Sequence, residues 1–264
     1  MPFLICLGVL LLLTLFLIFP AIKKHPDLKL LKGLFIAHRG LHCIENGIPE
    51  NSISAFKKAV EKGYAIENDV HLTKDGQVVV FHDDTLLRAC GVDKKICETT
   101  LAELKNFRLF GTDEKIPTLE ECLNVIDAKV PLLIELKVDK NAKELCSAVN
   151  KILMQYNGVY FIQSFYPQAL LWYKKHRKDI CRGQLATAFK GEALHKQIAG
   201  CLLFNFLSRP HFVSYEHTFK NQFFFKINLL LGAFPVGWTF KSEEDFKKSK
   251  DIFKTYIFEN YIPK

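Results

Sequence analysis

The chain has 264 residues, 49% hydrophobic and 24% charged, with no low-complexity tract, internal repeat or Gly/Ser- or Pro-rich linker. This excludes a disordered or fibrous protein and leaves one large domain or two small ones. The net charge of +8 favours anionic partners, yet the lysines are dispersed without any nucleic-acid recognition motif, so phospholipid headgroups or a phosphorylated small molecule are expected instead.

The first 22 residues carry no charge, and residues 3–19 (FLICLGVLLLLTLFLIF) are apolar except for Thr14. Extended through Ala21, this stretch is just long enough for a helix to span a bilayer. It lacks the positive start and the small-x-small cleavage site of a signal peptide, so residues 1–22 are expected to be an uncleaved transmembrane anchor. Lys23, Lys24, Lys29 and Lys32 follow it and place the remainder on the cytoplasmic face.

Short apolar runs then alternate with helical patterns. Residues 34–39 (LFIAHR) read as a strand, and residues 51–63 (NSISAFKKAVEKG) as a helix closed by Gly63. Residues 65–70 and 77–83 form strands joined by the turn Lys-Asp-Gly, a hairpin signal. About 86–116 is irregular and reads as an insertion. Thr118 and Glu121 form a capping box opening a helix over 118–128. Residues 130–138 (VPLLIELKV) are nearly all apolar, as in a strand buried on both faces. A helix over 140–156 and a strand over 159–165 follow, then a helix from Pro167 to about 177. Strands at 182–187, 211–217, 234–240 and 255–260 complete the pattern, with a last helix opening at Ser242. None of the eight cysteines forms a Cys-x-x-Cys pair or matches a zinc-site spacing.

Counting the hairpin once gives eight strands separated by helices, the signature of a parallel (β/α)8 barrel over 33–264. An open doubly wound sheet is the rival, but no glycine-rich phosphate loop follows the first strand. In a barrel of this kind the active site lies at the C-terminal strand ends. There the sequence carries His38 and Arg39, then Glu67 and Asp69 on one face, His82, Glu135 and Lys137. Each alone is an ordinary strand-end residue; their recurrence at successive strand ends points to chemistry. Three carboxylates would repel unless a divalent cation joined them, and oxygen ligands suit Mg²⁺ or Ca²⁺, with Mn²⁺ a third candidate. The histidines suit proton transfer, and Arg39 and Lys137 suit a phosphate. His42, His71, His176, His195 and His211 lack such company and read as loop, surface or packing residues. His217 ends the sixth strand beside Tyr215 and fits either description.

The motifs AHRG (37–40), PENS (49–52), IENDV (66–70), LTKDGQVVVFHDDTL (72–86), IPTLEE (116–121) and IELK (134–137) make the sequence resemble the glycerophosphodiester phosphodiesterase family. The likeness continues more weakly in GWT (237–239) and IFEN (257–260). It implies a (β/α)8 barrel with a small insertion after the second strand and metal-dependent hydrolysis of glycerophosphodiesters to glycerol 3-phosphate and an alcohol. By motif, the family's metal ligands fall on Glu67, Asp69 and Glu135, with Asn51 near the metal. Its acid–base histidines fall on His38 and His82, its phosphate contacts on Arg39 and Lys137, and its glycerol-pocket tryptophan on Trp238. Two departures stand out: Asn68 between the carboxylates, and the long segment LHCIENGI (41–48) between HRG and PEN. A lysophospholipase D acting on lysophospholipids is the nearest alternative, favoured by the apolar N-terminus and the aromatic stretch 204–234. A catalytically inactive membrane-tethered phosphate-binding module is the alternative of another class.

Overall fold

Alternation of side chains along each strand decides what this sheet can bury on either face. The computed structural model describes residues 2–188, 190–191 and 194–263, so residues 1 and 264 and the side chain of His195 lie outside the described part. Among the described residues there are nine strands: β1 (Phe35–Ala37), β2 (Ala65–Leu72), β3 (Val78–Val80), β4 (Leu132–Leu136), β5 (Tyr160–Ser164), β6 (Arg182–Ala186), β7 (Phe212–Glu216), β8 (Phe234–Phe240) and β9 (Thr255–Phe258). Eight run parallel, and β1 pairs with both β2 and β9, closing the barrel. The remaining strand, β3, is the antiparallel arm of the expected hairpin.

One face of the strands places Ile36, Ala65, Leu133, Phe161, Phe212, Val236 and Ile257 in an inner cluster. The other face packs Ala37, Ile66, Leu132, Ile134 and Ile162 against residues of the surrounding helices. The short helix Leu28–Leu31 buries both end residues in the inner cluster, and Thr255 at the start of β9 donates to the Leu31 carbonyl at 2.6 Å. The N-terminal mouth of the barrel is thereby plugged, leaving the opposite mouth for chemistry.

Helix starts follow their capping residues. The helix Leu119–Ile126 opens on the predicted box: Glu121 N–H donates to Thr118 Oγ1 at 3.1 Å, and Thr118 N–H to Glu121 Oε2 at 2.8 Å. Ser52, Asn141 and Ser242 cap Ile53–Glu61, Ala142–Leu153 and Glu243–Ser249 in the same manner. The insertion consists of short helical turns around its own small core, in which Leu86, Ala89, Ile96, Leu104, Leu109 and Ile116 are buried.

Two expectations need correction. The first strand ends at Ala37 rather than Arg39, because Arg39 takes a left-handed conformation (φ 54°) and turns its N–H to the Glu67 carboxylate. The expected membrane-spanning helix runs only from Pro2 to Ile18, 17 residues. At 1.5 Å per residue that is about 25 Å, short of the ~30 Å hydrocarbon core. Among the described residues no helix is long and apolar enough to cross a membrane. The helix is nevertheless exposed along nearly its whole length, with Phe3 and Leu4 77% and 70% accessible. Its C-terminal end is tied to the barrel. Arg209 Nη1 donates to the Phe16 and Phe19 carbonyls at 2.8 Å, and Asn205 Nδ2 to the Ile18 carbonyl at 3.0 Å.

Candidate active site

The inner rows that begin as Ala65 and Leu133 become charged toward the C-terminal end of the strands. Glu67 lies two residues beyond Ala65, Asp69 two further, and Glu135 two beyond Leu133; all three are buried. One carboxylate oxygen from each lies within 4.8 Å of those of the other two. Asn51, 2% exposed, donates from Nδ2 to Asp69 Oδ2 at 2.8 Å, while its Oδ1 is buried without a hydrogen-bond partner. An orphaned carbonyl oxygen beside three carboxylates is a donor set for a hard divalent cation.

The charge balance agrees. Lys137 Nζ contacts Glu135 Oε1 at 2.7 Å and Asp69 Oδ1 at 3.1 Å. Arg39 sends Nη1 to Glu50 Oε1 at 2.8 Å, and its Nε lies 3.6 Å from Asp69 Oδ2. Burial, with Asp69 and Glu135 alongside, pushes the Glu67 carboxyl well above the ordinary range, and burial likewise raises Glu135. For Asp69, burial acts upward but is outweighed by Lys137, His82 and Arg39, which hold it ionised. Fully ionised, the three carboxylates would outweigh these two cationic side chains, and the raised Glu67 carboxyl reflects that excess negative charge. A divalent cation would reverse that sign and match a phosphodiester anion.

The histidines flank this cluster. His38 Nδ1 lies 2.5 Å from Glu259 Oε2, and His82 Nδ1 2.5 Å from Asp83 Oδ1. Burial, reinforced by Lys137 and Arg39 against the opposing pull of Asp69, lowers the His82 pKa to about 4 and keeps the ring neutral. A cavity of about 470 Å³ at this mouth is lined by His38, Arg39, Glu67, His82, Glu135, Lys137 and Trp238. Asn51 and Asp69 lie buried behind its wall. The tertiary structure therefore gathers all nine residues singled out from the sequence.

The sequence pattern of the glycerophosphoryl diester phosphodiesterase family matches residues 38–223, about 70% of the chain. The chain belongs to this family. It is 44% identical to a glycerophosphodiester phosphodiesterase of Caldanaerobacter subterraneus over 40% of this chain and 46% of that protein. It is 36% identical to a human lysophospholipase D over 46% of this chain and 41% of that protein. The chain thus spans less than half the length of these two relatives. An Oleispira antarctica phosphodiesterase solved with the product sn-glycerol-3-phosphate superposes with a TM-score of 0.72 at 27% identity, covering 87% of this chain and 94% of that one.

In this family member several site residues escaped sequence reasoning. Glu259, beyond β9, bonds His38 and is itself held by Lys241 at 3.0 Å. Arg88, from the insertion, donates to both Glu50 and Asp83 at 2.6 Å, so the partner of Arg39 and the partner of His82 share one guanidinium. His42 lines the cavity with its Nε2 3.9 Å from Glu259, contrary to the reading of it as an ordinary loop residue. The only available signal for Glu259 was the weak IFEN motif; nothing local marked Arg88 or His42. His71 proves a buried support, within 3.2 Å of the His82 carbonyl and 2.9 Å of Asp139. His217 stacks on Phe240 at 4.6 Å and belongs to the packing. The aromatic stretch 204–234 also largely packs: Phe225 stacks on Tyr215 and Phe253 in the core rather than lining the cavity.

Proposed function

We propose that this chain hydrolyses glycerophosphodiesters to glycerol 3-phosphate and an alcohol. The observation that carries the reading is the convergence of two carboxylate-paired histidines on a buried Glu67–Asp69–Glu135 cluster beside Arg39 and Lys137. Glu67, Asp69, Glu135 and Asn51 Oδ1 would hold a divalent cation, Mg²⁺ or Ca²⁺ (Mn²⁺ a third candidate). Bound there, the cation supplies Lewis-acid stabilisation of charge on the phosphate oxygens. Arg39 and Lys137, both half-buried at the cavity, hold the remaining phosphate oxygens. His82, neutral at neutral pH, takes a proton from the attacking water through Nε2, because Asp83 occupies Nδ1. His38, held through Nδ1 by Glu259, delivers a proton to the departing alkoxide. Trp238, packed edge-on to Phe165 at 6.0 Å, forms an apolar wall for the glycerol carbons.

The test is release of glycerol 3-phosphate from a panel of glycerophosphodiesters, with and without chelator. Hydrolysis that stops on chelation is expected; no release from any member would refute the reading. His38→Ala and His82→Ala should each lower kcat by at least ~10²-fold. Retention of both histidines and all three carboxylates in working geometry argues against an inactive phosphate-binding module.

Lysophospholipids are the second substrate class, favoured by the likeness to the human lysophospholipase D and by an apolar groove beside the cavity. On the same reading the exposed apolar helix Pro2–Ile18 sinks into one face of a lipid bilayer and tethers the barrel there, where Lys23, Lys24, Lys29 and Lys32 meet anionic headgroups. Sedimentation of the full chain with anionic vesicles, lost on deletion of residues 2–18, would support that placement; unchanged sedimentation would remove it.

A further inference from the structure

The segment LHCIENGI (41–48), between HRG and PEN, folds as a small self-bonded loop. Cys43 N–H donates to the Ile48 carbonyl at 2.8 Å, Ile48 N–H returns to Cys43 at 3.1 Å, and Gly47 N–H closes a turn on Ile44 at 2.9 Å. Its outer side forms one wall of a groove of about 520 Å³, with Phe110 of the insertion and Tyr261 and Ile262 beyond β9 as the others. Leu41 and Ile44 belong to the loop wall; Ile44 and Ile262 are 43% and 56% exposed. Phe110 is held in place beneath the Arg88 guanidinium, 5.3 Å from its ring centre. Three separate segments thus converge on one groove, with Ile44 and Ile262 left exposed on it.

His42, Glu50 and Asn260 line both this groove and the catalytic cavity, so the two adjoin. The cavity itself is walled by His38, Arg39, Glu67, His82, Glu135 and Lys137, where an aliphatic chain would strip water from charged groups without replacing it. Any long hydrocarbon on a bound phosphodiester must therefore leave the cavity, and the adjoining groove offers it apolar surface at Leu41, Ile44, Phe110, Tyr261 and Ile262, among the charged Glu45, Glu50 and Lys58. An apolar cleft at Leu202 and Phe204 also adjoins the cavity, sharing Phe165 and Leu185 with it, but at about 10 Å³ it has no room for a chain. The cleft around Lys105, Asp113, Glu114 and Lys115 shares no lining residue with the cavity.

We infer that the Leu41–Ile44–Phe110–Tyr261–Ile262 groove receives the acyl chain of a lysophospholipid whose phosphodiester occupies the catalytic cavity. The inference rests on the phosphodiesterase reading and extends it to a specificity subsite. The loop 41–48 is then a specificity element, because its residues form a wall the chain lies against.

The test compares glycerophosphocholine with lysophosphatidylcholines of increasing chain length, all kept monomeric, using the full chain with Mg²⁺. Choline release gives kcat/KM, expected to rise about two- to fourfold per added methylene until the groove is filled, through KM rather than kcat. The Ile44→Asp, Ile262→Asp double variant, at two partly exposed positions, should flatten that dependence by at least ~10-fold in the long-chain to no-chain ratio. A chain-independent wild type, or a double variant with the full dependence, would overturn the subsite. If neither substrate is cleaved, the phosphodiesterase reading fails on its own. Calorimetric binding of the lysophosphatidylcholine series to the Mg²⁺-loaded protein then decides the groove: affinity rising with chain length upholds it, flat affinity ends it.

Discussion

The imidazole of His38 and the carboxylate of Glu259 are 221 residues apart in the chain and 2.5 Å apart in space. The contact occupies Nδ1, so proton exchange with a substrate falls to Nε2, and the ring is oriented by a carboxylate that Lys241 also grips. Glu259→Gln keeps the shape and one acceptor oxygen but removes the charge. It should lower kcat about 10- to 100-fold while KM stays within about twofold, because Glu259 acts through His38 and not on bound phosphate. Steady-state kinetics with Glu259→Asp alongside would check this: partial recovery in the aspartate variant is expected, and equal losses in kcat and 1/KM would argue for a merely structural role.

The carboxylate cluster predicts a metal-dependent stability as well as activity. Burial and mutual repulsion raise the Glu67 and Glu135 carboxyls above their ordinary range, a cost that a cation relieves only in the folded state. At a hundredfold excess over Kd, that linkage is worth about 2.7 kcal/mol, or roughly 5–10 °C in Tm for a domain of this size. Differential scanning fluorimetry should show the rise with Mg²⁺ or Ca²⁺, its reversal by EDTA, and its loss in Glu67→Gln. An identical Tm with and without metal would remove the cation from the proposal.

Barrel closure sets a tight steric limit at Gly183. A Cβ there would lie 2.0 Å from the Phe212 ring, which is fully buried in the inner cluster and has no room to yield. Gly183→Ala should therefore destabilise by about 1–3 kcal/mol through overpacking. The urea midpoint should fall with no change in slope, whereas an unchanged midpoint would mean the inner cluster is looser than drawn.

Acid should weaken the fold from the opposite mouth. Burial, then Arg182 and His25, push the His211 pKa down to about 3, and Arg182 N–H donates to its Nδ1 at 3.2 Å. The unfolded ring titrates at the ordinary value of about 6.5, so between these values the unfolded chain binds a proton that the folded one refuses. Stability is thus intact above about pH 6.5 and declines as pH falls toward 3. Denaturant titrations across that window should give a shallower decline in His211→Asn, whatever its absolute stability; parallel curves would show that His211 is not the group responsible.

Much of this architecture was legible beforehand because it obeys local rules. Thr118 and Glu121 make a helix start wherever they are followed by an apolar repeat, and Pro167 opens a helix because its missing N–H costs nothing in the first turn. Glu67 and Asp69 share a face because strand side chains alternate. The site was legible to the extent that its residues sat at strand ends, and all nine came together. Glu259, Arg88 and His42 were not, since each gains its role from a partner on a distant segment: His38, Glu50 and Glu259.

The N-terminal helix divides along the same line. Its uncharged, apolar run is a property of composition and could be read directly. The grip of Arg209 and Asn205 on its last carbonyls depends on residues nearly 200 positions away. The groove beside the cavity is likewise absent from any single segment. By itself the sequence determined which stretches become strands and helices and which strand ends are charged, because periodicity, capping and turn chemistry act over a few residues. Only closure of the barrel decided what those charges face, because it brings strand β9 back beside β1 and sets groups together that no local pattern relates.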